Sequence, residues 1–470
     1  MKKSFLSAFA VSVASVFFCD AQVLGEKPLL PNVNTSDDKA VALSTLWSEI
    51  KYNFVNIDKV SFDIDSLYRE TMKTVLDTDN DIDFYRELSL FMAKFKDGHT
   101  QLLGINSLRP YREDDYLNNW PVFLGAVGRH IYCIDVRKDY KDLQFAELVE
   151  VNGIPVGEYM EKYVLPLSYG STDTARWIYG VENILGRGPV GRSCKVKFVL
   201  PNGRIVEESM TYNHIAGLPR NDDGDYFIYC DSYWYPEETV SVRWLKGGIA
   251  HVAINTFDIS SFPELKGEID DAMNTVRRKA KGVILDLREN SGGSTEVAIH
   301  LQMYIDGSDS LRTFGAETRD NLGYGKAQGN YREEYAEYYN GMSFKKFPSE
   351  VMPRDRSIQA LSCPVVILAG PRTASACEDF LVNIYELTGR PQILGAPTAG
   401  STGAPLVIDL PHGAKARVCT LRETFPFSGK PFTGGIEPDI FVEDTLDRYI
   451  GGKDVVLDRA LSEISNFVRR

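Results

Sequence analysis

The sequence predicts a multidomain α/β protein of 470 residues, and three observations predict it. Residues 37–95 carry apolar side chains at helical spacing. Residues 110–215 carry short apolar runs separated by turn residues, which favours a β-rich domain. From about residue 248 onward, apolar runs alternate with helical segments, which is typical of an α/β core with parallel strands. Since one hydrophobic core rarely extends over such a length, we expect separate domains. Their predicted bounds are 22–110, 111–215 and 216–470, the last including a linker at 216–240.

The first residues have the pattern of a secretory signal peptide. Two lysines precede the apolar run Phe5–Phe18, which is too short to span a membrane, and Ala21 closes a small-residue cleavage site. We therefore predict a signal peptide at 1–21 and an exported protein, periplasmic or extracellular. The bulky Phe17 and Phe18 argue against lipid attachment at Cys19. No other apolar run of the sequence is long enough for a transmembrane helix.

The bulk composition is that of an ordinary globular protein, with 43% hydrophobic and 25% charged residues. The formal net charge of −13 argues against an extended nucleic-acid-binding surface. No pair of the seven cysteines has zinc-ligand spacing. The sequence therefore predicts neither a nucleic-acid partner nor a metal site, and it implies no organic cofactor.

Three apolar stripes predict the helices of the N-terminal domain. They are followed by Asp97-Gly98-His99, where Asp-Gly indicates a turn and the chain becomes extended. His99 is thus expected between a helical and a β segment. From this residue alone two interpretations stay open, a structural histidine and a catalytic base. The stripes consist of Leu43, Leu46, Trp47, Ile50 and Phe54; of Leu67, Met72, Val75 and Leu76; and of Phe84, Leu88, Phe91 and Met92.

The β-rich domain is predicted from apolar runs and from two Asn-Gly pairs, at Asn152 and Asn202, that are typical of tight turns. A helix is expected over 156–163 between the two pairs. The predicted strands cover Val122–Leu124, His130–Val136 and Ala146–Val151, and a hairpin covers Lys195–Val206.

The stretch Pro364–Gly389 predicts a buried strand, a turn and a helix that begins at about Ala376. Ser375 would then lie at the N-terminus of this helix, where free backbone N–H groups and the helix dipole favour a developing negative charge. A serine nucleophile needs such a place. Serine is also a preferred N-cap residue, so the local pattern leaves a purely structural role open. Gly389 is expected to cap the end of the helix.

A second buried strand, Gly282–Leu287, is followed by Gly292-Gly293. Glycines let a backbone N–H turn into a cavity without a Cβ in the way. In a parallel sheet this loop and Ser375 belong at the same edge, the carboxyl ends of the strands. An acyl-transfer site needs a nucleophile, a base and oxyanion donors. Ser375, His99 and the amides of Gly292 or Gly293 with Ala376 are the candidates.

These motifs resemble those of the tail-specific, C-terminal-processing serine peptidases, serine peptidase family 41, and more closely their tricorn-core-like branch. The resemblance implies a PDZ-like β-rich domain, a ClpP/crotonase-like protease core and a polypeptide substrate. The segments that carry it, in chain order, are Asp97–Thr100, Glu147–Val156, Gly282–Gly293, Thr373–Glu378 and Gly435–Asp439.

The chain departs from that family at two places. Ser401 stands where the lysine of the family's Ser–Lys dyad would be, and no lysine lies between Arg390 and Ala414. The resemblance to the tricorn-like branch then favours His99 as the base. Where that branch has a glutamate to orient its histidine, this chain has Thr433, and Glu423 and Glu437 are nearby substitutes.

Three functions remain open from the sequence. The leading prediction is an exported serine peptidase that hydrolyses unfolded or C-terminally tagged polypeptides. The alternatives are a catalytically weak or inactive peptide- or glycan-binding protein on the same scaffold, and an acyl-transfer enzyme of another kind. We expect Glu378 to organise the helix N-terminus or the loop facing it. The tyrosine-rich segment Gly307–Gln359 is interpreted as a surface excursion or a substrate-contacting lid, and the oligomeric state is left open.

Overall fold

The structure is a computed structural model, and it describes residues 32–103, 117–213, 238–319 and 344–469. The predicted signal peptide, most of the predicted linker and the tyrosines between 324 and 339 lie outside these ranges. The predicted fold class is confirmed, because N-terminal helices, a β-rich region and a C-terminal α/β core follow one another along the chain. The domain bounds themselves stay a prediction.

Three helices open the described chain, as the apolar stripes predict. They are α1 (Ser36–Asn53), α2 (Ile64–Leu76) and α3 (Asp81–Ala93). Thr35 caps α1 in a capping box with Asp38, which satisfies two of the free N–H groups of the first turn. The apolar faces pack together, and a short strand, β1 (Gln101–Leu103), follows the last helix.

The β-rich region is an antiparallel sheet with a core of its own. Its helical segments are shorter than the sequence predicts, because the helix expected over 156–163 is α-helical only at Val156–Tyr159 (α4) and continues as a π-helical turn at Met160–Val164. A further helix, α5 (Asp173–Gly180), covers the sheet. The strands are β2 (Leu117–Asn119), β3 (Val122–Val127), β4 (His130–Val136), β5 (Glu147–Val151), β6 (Ile154–Pro155), β7 (Arg187–Pro189), β8 (Ser193–Val199) and β9 (Ile205–Thr211), and the sheet order is β3-β4-β5-β8-β9 with β6 on β5 and β2 on β7.

The C-terminal core is a six-stranded sheet between helices. Only its first strand is antiparallel to its neighbour, and the other pairs are parallel, as alternating strands and helices predict. The strands, in spatial order, are β10 (Val240–Leu245), β11 (Ile249–Ile254), β12 (Gly282–Asp286), β17 (Val365–Ala369), β18 (Gln392–Gly395) and β22 (Ile440–Phe441). The helices are α6 (Leu265–Lys279), α7 (Thr295–Ile305), α8 (Ala376–Tyr385), α9 (Leu446–Tyr449) and α10 (Val455–Arg469).

Strand alternation decides which helix covers which face of this sheet. Val283 and Leu285 belong to the cluster under α6, α7 and α8, whereas Ile284 belongs to the cluster under α10. With both faces covered, the parallel strands present their carboxyl ends at one open edge. The loops after β12, β17 and β18 therefore meet there.

Two smaller sheets complete the core. β13 (Ser310–Arg312) pairs with β16 (Val351–Pro353), and β14 (Gly315–Arg319) lies between β15 (Phe344–Phe347) and β21 (Leu421–Thr424). Among the helices of the ranges that the structure describes, none is long and apolar enough to cross a membrane. Helix α8 ends at Tyr385, so Gly389 does not cap it as predicted; this glycine lies further on, at φ 72°.

A hairpin of the C-terminal region joins the N-terminal helices. β19 (Pro405–Asp409) pairs with β20 (Lys415–Cys419), and β20 also pairs with β1, with Gln101 opposite Arg417. The buried hairpin residues Ala416 and Val418 belong to the same hydrophobic cluster as α1 and α3. This pairing fixes the chain just after His99 against the C-terminal region.

Candidate active site

Ser375 lies on a tight turn between β17 and α8. Its backbone has φ 54° and ψ −129°, a conformation that a residue with a Cβ rarely adopts and that costs on the order of 1–3 kcal/mol. Its side chain makes no capping hydrogen bond to the helix. The N-cap interpretation therefore loses its physical basis, since a serine cap acts through that bond.

The backbone around Ser375 is held from several sides. The Ser375 N–H donates to the Ser401 carbonyl at 2.8 Å, and the Ser375 carbonyl accepts from the Glu378 N–H at 2.7 Å. The preceding Ala374 N–H donates to the Asn290 carbonyl at 3.1 Å. These bonds tie the turn to the loops after β12 and β18, so the strained conformation is over-determined by its surroundings.

The Gly-Gly loop lies directly against the turn. A Cβ on Gly292 would come within 2.7 Å of the Ser375 Cβ, and one on Gly293 within 2.3 Å of the Phe257 carbonyl carbon. The Gly292 N–H already donates to Asn290 Oδ1 at 2.9 Å. Within the described ranges, the N–H groups of Gly293 and Ala376 have no protein acceptor. These two amides are the donors available near Ser375.

His99 reaches the same place from the N-terminal segment. Its side chain is buried, and Nδ1 lies 3.0 Å from the Ser401 hydroxyl. The Asp97 carboxylate accepts from the His99 backbone N–H at 2.9 Å, which fixes the turn. Thr100 accepts from the Cys419 N–H at 3.0 Å and anchors that turn to β20.

Ser401 is the residue that His99 and Ser375 share. Its hydroxyl contacts the His99 ring, and its carbonyl accepts from the Ser375 N–H. No hydrogen bond joins the Ser375 hydroxyl to the His99 ring in this structure, a looseness that free serine enzymes often show before substrate binds. The structure thus brings the predicted nucleophile and base to one loop.

The environment of His99 keeps its ring neutral. Burial, and to a smaller extent the charge of Arg417, lower the pKa of His99 to about 4. The Arg417 guanidinium donates to the Gly98 carbonyl at 3.0 Å, beside the histidine. A neutral imidazole at neutral pH can accept a proton.

Glu378 does not face open solvent. Its carboxylate accepts from the Gly400 N–H at 2.7 Å, from the Ser401 N–H at 2.8 Å and from the Thr398 hydroxyl. Burial raises the pKa of Glu378 to about 7. The side chain therefore organises the loop that faces the helix, which is one of the two roles the sequence suggests.

The structure does not bring the remaining predicted residues to His99. Thr433 and Glu437 are exposed, and neither is hydrogen-bonded to the ring. Glu423 is buried and accepts from the Thr402 hydroxyl instead. The described partner of His99 Nδ1 is a serine hydroxyl, in the place where a triad has a carboxylate.

Sequence reasoning missed three buried polar residues that shape the loops. Asn290 holds the Gly-Gly loop through both its side-chain ends, since Nδ2 donates to the Ile254 carbonyl at 3.0 Å. Thr373 donates to the Leu287 carbonyl at 2.9 Å, and Thr398 accepts from the Ile436 N–H at 2.7 Å. The sequence feature that could have identified them is their position two or three residues before Gly292-Gly293, Ser375 and Ser401. In the ranges that the structure covers, no three acidic, histidine or cysteine side chains are arranged to hold a metal ion.

Comparison with known proteins agrees with the predicted family. Residues 248–442 match the family model "Peptidase family S41". This stretch is an S41 peptidase domain. The resemblance to serine peptidase family 41 is thereby confirmed, and the domain is that of a serine-type peptidase.

Two curated bacterial relatives are similar to part of the chain. A carboxy-terminal-processing protease of Bartonella bacilliformis is 25% identical over 216 residues, which are 45% of this chain and 43% of the relative. The carboxy-terminal processing protease CtpA of Bacillus subtilis is 30% identical over 167 residues, 35% of this chain and 28% of the relative. The matched stretch spans less than half the length of either relative.

A solved structure is similar over nearly the whole chain. Mature CPAF complexed with lactacystin superposes with a TM-score of 0.69 at 16% identity, covering 92% of this chain and 99% of CPAF. At this identity the likeness shows a shared fold. The S41 domain of this chain therefore lies in an arrangement of domains that a solved protein also has.

Proposed function

We propose that the protein is an exported serine peptidase, with Ser375 as nucleophile and His99 as base. The observation that supports this most is that Ser401 contacts both residues: its hydroxyl lies 3.0 Å from His99 Nδ1, and its carbonyl accepts from the N–H of Ser375 on the strained strand-to-helix turn. The S41 match supports the reaction class.

The first half of the reaction forms an acyl-enzyme. In the tautomer that donates Nδ1–H to Ser401, the lone pair of His99 Nε2 accepts the hydroxyl proton of Ser375. The Ser375 Oγ attacks the peptide carbonyl carbon, and the N–H groups of Gly293 and Ala376 hold the resulting oxyanion. His99 then gives its proton to the leaving amine as the C–N bond breaks. We prefer Gly293 to Gly292, because the Gly292 N–H is engaged by Asn290.

The second half regenerates the enzyme. Water attacks the acyl carbon, His99 takes its proton, and the carboxylic acid product leaves as Ser375 regains its own proton. Glu378 and Ser401 support this cycle by holding His99 and the turn; they do not react. Unfolded or C-terminally tagged polypeptides are the proposed substrates, and the names of the two relatives, carboxy-terminal processing proteases, support action near a carboxyl terminus. We propose that the PDZ-like region holds an extended segment or a terminal carboxylate.

A second candidate is a weakly catalytic or inactive peptide-binding protein. This candidate is favoured by the contact of His99 Nδ1 with the Ser401 hydroxyl, because a catalytic triad has a carboxylate at this position. Loss of the orienting acid in a Ser–His–acid triad costs about ten-thousand-fold in rate. The two candidates differ in whether Ser375 is nucleophilic.

A fluorophosphonate probe separates them. We expect covalent labelling of the wild type and none of Ser375→Ala, while Ser294→Ala, which removes another hydroxyl close to the Gly-Gly loop, retains it. Labelling that is absent from the wild type, or equal in Ser375→Ala, would refute the nucleophile assignment.

A further inference from the structure

Three carboxyl groups are buried beneath the turn of Ser375. Glu378 and Asp379 lie in the first turn of α8, and Glu423 lies on β21, with exposures of 0%, 5% and 2%. In the part of the chain that the structure describes, none of the three forms an ion pair with a lysine, arginine or histidine. Such a cluster is costly to charge fully, so its protonation can change near neutral pH.

Glu378 is the member of the cluster whose partners require a charge. One oxygen accepts from the Gly400 N–H and the Thr398 hydroxyl, and the other accepts from the Ser401 N–H. A protonated carboxyl would present an O–H to one of these donors, so one hydrogen bond would be lost. Both N–H groups belong to the loop after β18.

That loop is the one that holds the proposed catalytic pair. Ser401 contacts His99 with its hydroxyl and Ser375 with its carbonyl, at 3.0 and 2.8 Å. Ser401 therefore links Glu378 to both His99 and Ser375, because it is hydrogen-bonded to all three residues. The Thr398 hydroxyl also connects Glu378 to this loop, since it donates to the Glu378 carboxylate and accepts from the Ile436 N–H.

We propose that Glu378 is a positioning residue for His99, and that its ionisation, and not that of His99, sets the loss of activity on the acid side of the pH profile. In the charged form it holds Ser401 against the imidazole; protonation releases the Ser401 or Gly400 N–H and lets the loop move. This inference rests on the proposed function and names a regulation of the same site.

The other titratable groups around Glu378 support this order of protonation. Burial, and to a smaller extent the charge of the neighbouring Asp379, raise the pKa of Glu378 to about 7. Burial also raises the pKa of Asp379, to about 6, and the pKa values of Glu423 and Cys377 well above their usual range. Across Ser401, His99 stays neutral because burial lowers its pKa to about 4. On acidification Glu378 takes up its proton while the base is still neutral.

The test is the rate of fluorophosphonate labelling of the full chain as a function of pH. For the wild type we expect the labelling rate to fall as the pH is lowered, with a midpoint near pH 7. Glu378→Gln cannot accept from all three donors, so its rate should be about 100-fold lower at high pH and flat through that midpoint. A Glu378→Gln profile that keeps the wild-type midpoint would overturn the proposal.

Asp379→Asn is the matched second variant. The Asp379 side chain accepts from the Thr295 hydroxyl at 2.7 Å and, among the residues that the structure describes, forms no hydrogen bond to the loop of Ser401. Removing its negative charge lets Glu378 ionise more readily, so the midpoint should move to lower pH while the plateau rate stays close to wild type. An unmoved midpoint contradicts the proposal even if Glu378→Gln does not fold. Absence of labelling in the wild type at every pH refutes the proposed function itself, which separates the two failures.

Discussion

Ser375 carries the strain of the site in its own backbone. At φ 54° a Cβ is unfavourable, and the turn persists because Ser401, Asn290 and the first turn of α8 hold it. The sequence predicts the place of this residue, at a strand-to-helix turn, from periodicity and from the motif around it. It does not predict the partner of His99, because Ser401 reaches the imidazole only through the packing of a loop 302 positions further along the chain.

Ser375→Gly should be more stable than Ser375→Ala. Glycine adopts positive φ at little steric cost, whereas alanine keeps the strain, so we expect a difference of about 1 kcal/mol in the free energy of unfolding. Denaturant titration of the two variants, neither of which can be labelled, measures it. Equal stabilities would mean that the turn is not strained.

The buried Glu378 should also give a pH-dependent stability. Its pKa is raised to about 7 in the folded protein, so the native state binds a proton that the unfolded chain has released. Its contribution to stability is then fully present below the unfolded pKa and is lost as the pH rises through the folded one. Between about pH 4.5 and 7 the wild type should lose about 3 kcal/mol relative to Glu378→Gln. A difference between the two that does not change with pH would contradict the burial of an ionisable carboxyl.

At the scale of elements, the site is the meeting point of three loops at one sheet edge. Alternating strands and helices, the Gly-Gly pair and the serine motif were sufficient to predict that edge. The sequence could not show that Gly292 is engaged by Asn290, or that Thr433 and Glu437, the candidates for the residue that orients His99, stay exposed. Those facts depend on the relative placement of loops, for which periodicity carries no information.

Gly293→Ala tests the close packing of these loops. The new Cβ would lie 2.3 Å from the Phe257 carbonyl carbon, at a φ of 146°. Because backbone cannot move aside easily, we expect a destabilisation of about 1–3 kcal/mol and a loss of probe labelling. Gly307→Ala, whose Cβ meets nothing within 4 Å, is the control and should change neither. Unchanged unfolding and labelling of Gly293→Ala would rule out the close approach.

At the scale of the whole molecule, the N-terminal helices are not an independent unit. Their hydrophobic cluster is completed by Ile408, Ala416 and Val418 of the hairpin β19–β20, so His99 is positioned by residues from the far end of the chain. The sequence predicts the helices, but their apolar stripes cannot show which partner covers them. An ion pair between Arg372, three residues before Ser375, and Glu182 ties the β-rich region to the nucleophile loop as well.

Fragments of the chain should therefore differ in folding. Residues 117–213 include the whole of a separate buried cluster, and we expect this fragment to unfold cooperatively on heating. Residues 32–103 lack the hairpin that covers their apolar faces, so we expect no cooperative transition. Circular dichroism of the two purified fragments measures this. A cooperative transition of the helical fragment would show that it does not need the hairpin.

In the proposed mechanism, a histidine of the N-terminal segment activates a serine of the S41 domain. The most direct measurement is mass spectrometry of the full chain after fluorophosphonate treatment, for the wild type, Ser375→Ala and His99→Ala. We expect one covalent adduct on Ser375 in the wild type, none in Ser375→Ala, and a rate at least about 100-fold lower in His99→Ala. Labelling of His99→Ala at the wild-type rate, or an adduct on another residue, would contradict it.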